Sequence, residues 1–131
     1  TEYMRSVGGM AITLECGQHD DPAGPEVAYQ AIVNTLAHLS MIDVPAPAPR
    51  ADIAVLRLIH VTDRFNPSDA FVKTWASFDP VQANEPIGHR HDGTVVRAQG
   101  DGYIVFPNTQ ALPGNEWFYF ARRSGRVLNV G

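Results

Sequence analysis

The stretch Asp92-Gly-Thr-Val-Val-Arg-Ala-Gln-Gly-Asp-Gly-Tyr-Ile-Val-Phe106 decides how the chain is read. Two runs in it, Thr94–Ala98 and Tyr103–Phe106, are rich in β-branched and aromatic residues. Such residues suit a pleated, half-buried surface. Asp92-Gly93 and Gly100-Asp101-Gly102 punctuate them with residues that accept tight reversals. The same pattern continues outward. Ile53–Val61, Val81–Ile87 and Trp117–Ala121 read as further strands, and Pro113-Gly114-Asn115 as another turn. Several short strands at this spacing predict a small all-β unit. Along Trp117, Phe118, Tyr119 and Phe120, alternate residues are expected to face the core. Asn66-Pro67-Ser68-Asp69 reads as the start of a helical turn around Ala70.

Upstream the pattern differs. Pro45-Ala-Pro-Ala-Pro-Arg50 is a stiff linker with a polyproline II tendency, and it marks a boundary. Before it, Met10-Ala-Ile-Thr-Leu-Glu-Cys16 reads as a short buried strand, framed by Gly8, Gly9 and Gly17. A polar loop runs to Gly24. Pro25 then suits the first position of a helix, where its missing N–H costs nothing. The helix is predicted to reach about Ile42. Ala28, Ile32, Leu36 and Leu39 form its apolar side, and Glu26, Gln30, Asn34 and His38 its polar stripe. A strand leading into a helix is an α/β signature. The expected fold class is α+β, mainly β. It divides into residues 1–44, a linker at 45–50, and a β-rich domain at 51–131.

Composition narrows the function classes. The 131 residues are 44% hydrophobic and 18% charged, enough for a core and without a disorder signature. The net charge of -4 argues against nucleic acid and anionic membrane as partners. No apolar run approaches the ~20 residues of a membrane span. Cys16 is the sole cysteine, which rules out an internal disulfide and fits a reducing compartment such as the cytoplasm. The chain opens on Thr1 rather than Met, and a fragment of a longer protein is expected. A strand and helix taken from a larger sheet would leave an exposed edge and an apolar patch, which invite association into a homo-oligomer.

Glu15 carries the first chemical expectation. In open α/β sheets the carboxyl ends of strands face the ligand crevice. A carboxylate placed there can act as a general base, because a low-dielectric cleft raises its pKa. Arg5 lies ten residues earlier and has the planar fork that clamps a substrate carboxylate. The competing reading makes the two a structural ion pair.

The stretch Arg5-Ser6 … Thr13-Leu-Glu15-Cys-Gly17 resembles the aspartoacylase and succinylglutamate desuccinylase family, zinc-dependent deacylases related to the zinc carboxypeptidases. The resemblance implies that Glu15 activates a zinc-bound water and that Arg5 binds the substrate carboxylate. Tyr103-Ile-Val-Phe106-Pro-Asn108 is similar to the family's Tyr-x-x-Phe-x-Asn segment, which implies that Tyr103 reaches the active site. Residues 1–44 would then be the last strand and helix of a carboxypeptidase-like α/β domain. Residues 51–131 would be a small β-barrel-like, barrel-sandwich domain. The implied substrate is an N-acyl amino acid or a similar amide. The family's His-x-x-Glu metal motif and its later His stand upstream of the glutamate, and no histidine precedes Glu15 here. The zinc ligands of the parent are thus expected outside this chain, which should neither hold family-type zinc nor catalyse alone.

Other residues carry groups able to do chemistry. His89-Arg-His91-Asp92 offers three local donors where zinc wants about four, and reads as a solvated turn. His60 and Asp63 are expected on opposite strand faces. His19 sits in the polar loop as a candidate cleft residue, and His38 on the helix's polar stripe. Cys16 should face away from Glu15 and behave as a small hydrophobe. The second half also resembles biotinyl and lipoyl carrier domains, but no lysine lies near either hairpin tip, and the one lysine, Lys73, is elsewhere. The alternative function is a non-catalytic β-barrel binding module with an attached helix.

Overall fold

The computed structural model describes residues 2–17, 21–48, 50 and 53–125. The chain forms two units, 1–50 and 51–131, and the boundary between them falls at the end of the Pro/Ala linker.

The first unit holds helix α1, Glu2–Ser6, and helix α2, Gly24–His38. Pro25 stands in the first turn of α2, as its fixed φ predicts. Just upstream, Asp21 Oδ1 accepts the Ala23 amide at 2.9 Å. The helix stops short of Ile42 because Ser40 turns into the left-handed region at φ 55°. The amides of Ser40 and Met41 fold back onto the carbonyls of Ala37 and Leu36.

The strand expected at Met10–Cys16 does not form. These residues have no regular structure, and their backbone groups find no ladder partner among the described residues. A strand exists only through a neighbour, and the described residues of the first unit supply none. Met10 and Ile12 are 89% and 88% exposed, so the segment is not buried either. The helix's apolar side is likewise open. Ile32 and Leu39 are exposed, and only Ala37 of α2 is buried.

Among its described residues the second unit holds seven strands: β1 Leu56–Asp63, β2 Ala70–Phe71, β3 Pro80–Val81, β4 Pro86–His89, β5 Val95–Arg97, β6 Gly102–Val105 and β7 Glu116–Arg123. They make two antiparallel sheets, ordered β1-β7-β6-β3 and β2-β4-β5. One core of Trp75, Val81, Ile87, Ile104, Trp117, Phe118 and Phe120 lies between them. The β-rich expectation therefore holds, with one correction. β1 and β5 are not hydrogen bonded, so the sheets stay open and no barrel closes.

Three local expectations are also corrected. Val81–Ile87 is two strands in different sheets, because Gln82–Glu85 closes a turn with Asn84 at φ 65°. Ala70 lies in β2 rather than a helical turn: Asp69 turns its carboxylate back onto the Phe65 and Asn66 amides and ends the bend. Along β7, Trp117 and Phe118 are both buried. Thr62 faces Phe118 while Asp63 faces Glu116, so Trp117 is the extra residue of a β-bulge and the strict alternation breaks there. Ile59 is the extra residue of a second bulge, on β1.

Candidate functional site

Arg5 lies on α1, and Glu15 lies ten residues on in the irregular segment that follows. Glu15 is exposed, so the low-dielectric strand end expected around it is absent from this unit. Gly17 follows at φ 107°, a left-handed turn that glycine adopts without strain. That turn sends the chain toward α2. Cys16 is half-buried and free. His19 lies outside the described residues.

Tyr103 lies on β6 of the second unit, paired with Ala121 on one side and Pro80 on the other. Arg123 Nε donates to its hydroxyl at 3.0 Å, and the guanidinium stands 5.9 Å from the ring centre. Because the oxygen accepts from Arg123, the phenol proton is directed away from the guanidinium. Both residues border an open cleft of about 760 Å³ with Pro80, Gln82, Ala83 and Asp101. Asp101 Oδ1 accepts the Ala83 amide at 2.8 Å and pins the rim. The cleft thus carries one guanidinium, one phenol and one carboxylate already in use. The sequence reading missed Arg123 and Asp101. Asp101 was visible as the acid of a Gly-Asp-Gly turn. Arg123 becomes significant only through the strand register.

His89 and His91, read from the sequence as part of a solvated turn, have different surroundings. His89 is exposed on β4, while the His91 amide donates to Asp69 Oδ1 at 2.8 Å. The Asp69 carboxylate is sealed from solvent. It also accepts the Phe65 and Asn66 amides, and Arg90 Nη1 at 2.9 Å. Burial pushes its pKa up, but these donors outweigh burial and hold it well below the usual carboxylate range. Arg64 braces the same loop, donating to the carbonyls of Pro67, Asp69, Thr109 and Ala111.

Among the described residues no three His, Cys, Asp or Glu side chains converge to hold a metal ion, so these residues do not fit a zinc site. Nor is any helix of the described residues long and apolar enough to cross a membrane. The chain matches no known protein family and no curated protein.

Proposed function

We propose that this chain is the C-terminal part of a hydrolase that cleaves the amide bond of an N-acyl amino acid or a similar small substrate. The observation that supports the reading is the order and spacing of one segment. Arg5-Ser6 on α1 precedes the exposed Glu15 by ten residues, and Gly17 then turns the chain toward Pro25 and α2. In this reading Glu15 takes a proton from the attacking water and returns it to the leaving amine nitrogen. Arg5 holds the substrate carboxylate through its planar fork. The family resemblance also implies a substrate contact for Tyr103, whose oxygen accepts from Arg123.

The zinc of such an enzyme would have its ligands outside this chain, and the 131 residues alone would not turn over substrate. The parent would work in the cytoplasm, in keeping with its single free thiol here. It would assemble as a homo-oligomer. The test is deacylase activity of the full-length parent on N-acyl amino acids, with and without Glu15→Gln. Activity lost with Glu15→Gln supports the reading, and a parent without activity on any such amide overturns it.

A further inference from the structure

The open sandwich leaves a mouth where β1 and β5 face each other without pairing. A cavity of about 180 Å³ occupies it. That is about six waters' worth of liquid at roughly 30 Å³ each, room for a small organic ion. Ile87, Val96, Phe118 and Phe120 make its walls, and His60, Thr62, Arg90, Arg97 and Gln99 supply polar groups. No carboxylate lines it.

Arg90 is the decisive group. Its side chain is only 13% exposed. Nη1 alone carries its protein bonds, to the Asp63 carbonyl at 2.7 Å and to Asp69 Oδ2 at 2.9 Å. Phe65 holds the plane of the guanidinium, 4.2 Å from its ring centre. Nε and Nη2 have no bonding partner among the described residues, yet neither is sealed from solvent. That edge of a guanidinium presents two parallel N–H donors, the geometry a carboxylate accepts bidentately. Thr62 is buried, and its hydroxyl is likewise unbonded and unsealed. Arg97 donates through Nη1 to the Asn84 carbonyl, and its other nitrogens stay available at the rim. Asp69 balances one of the two guanidinium charges, so the mouth keeps a net positive charge.

We propose that this mouth binds a short aliphatic carboxylate, its head on Arg90 and Thr62 and its tail against Val96, Phe118 and Phe120. Two features favour a carboxylate over phosphate. The free edge of Arg90 is flat, and the walls are apolar, which a hydrated tetrahedral ion would not use. The proposal stands apart from the hydrolase reading and needs neither Glu15 nor Arg5.

The experiment is an NMR titration of the whole 131-residue chain with propionate, and in parallel with phosphate and chloride at matched ionic strength. Propionate should saturate shifts at Thr62, Val96 and Phe118 with a Kd on the order of 1 mM. Thr62→Val should weaken it by about tenfold or more, since it removes one hydrogen bond to a charged group. Ala98→Leu should fill the cavity and abolish it. Should Ala98→Leu fail to fold, the near-isosteric Thr62→Val still decides. Unsaturable shifts, an unchanged Kd in Thr62→Val, or equal shifts from chloride would overturn the site. Saturation by phosphate without saturation by propionate would overturn the carboxylate assignment.

Discussion

Asp69 and Glu15 are two carboxylates in opposite settings. Asp69 is sealed and met by four donors, and its ionised form belongs to the folded state. The unfolded chain takes up a proton near about 3.9, whereas the folded carboxylate resists until well below that. Its contribution to stability is therefore full above the unfolded value and is lost as the pH falls through the folded one. Asp69→Asn would leave Arg90 without its counter-charge, at a cost of about 3–5 kcal/mol. It should also flatten the acid limb of the stability curve. Urea unfolding at neutral pH and near about pH 3 measures both. Glu15 is exposed and tied into no such network. On the proposed hydrolase reading, Glu15→Gln in the full-length protein should lower kcat by about 10²–10⁴-fold while leaving the melt nearly unchanged. Arg5→Ala should act on KM, with kcat/KM down about 10–150-fold for a lost charge-assisted contact. If the two residues only brace the fold, both variants would melt early and turn over normally per folded molecule.

At the scale of elements, β4 shows how closely the two sheets meet. A Cβ on Gly88 would lie 2.6 Å from Trp117 Cη2 and 2.9 Å from the Ala70 carbonyl oxygen. The carbonyl cannot swing away without breaking the β2–β4 pairing, so Gly88→Ala should cost about 1–3 kcal/mol. A thermal melt with near-ultraviolet circular dichroism, which follows Trp117, would read the loss. The strands were legible where turn chemistry bounded them. Gly93, at φ 86°, closes the β4–β5 hairpin where Asp92-Gly93 predicts it. Gly114, also at φ 86°, does the same just before β7. The bulges at Ile59 and Trp117 were not legible, because a bulge is a property of two strands in register. For the same reason Arg123 escaped notice: it meets Tyr103 only because Ala121 pairs with that residue. The segment at Met10–Cys16 carries the apolar pattern of a strand, but pattern alone cannot supply the neighbour it needs. Glu15 and Arg5 stood out by residue type and spacing. The Asp69–Arg90 pair brings together groups far apart in the chain, beyond the reach of local reading.

For the molecule as a whole, the linker separates two units of unequal self-sufficiency. Residues 51–131 own a continuous core and should fold alone, with dispersed NMR signals and a cooperative melt close to that of the full chain. Residues 1–50 expose Met10, Ile12, Ile32 and Leu39, and among their described residues only Ala37 is a buried apolar group, so alone they should melt without a sharp transition. Those same side chains should drive self-association of the full chain. Sedimentation should show a concentration-dependent dimer, reduced in the double variant Ile12→Glu and Ile32→Glu. A monomer at all concentrations would count against that assembly. The position of β7 has one more consequence, in the timing of protein synthesis. It is the last made of the described strands, yet it lies between β1 and β6 and pairs with the first strand of its sheet. A ribosome that has released β1 to β6 has released the β3–β6 pair of the larger sheet but no partner for β1. Until Glu116–Arg123 emerges, the core lacks Trp117, Phe118 and Phe120, the strands already made expose their apolar faces to chaperones and to neighbouring nascent chains, and a stop codon before β7 should prevent the core of the β unit from closing.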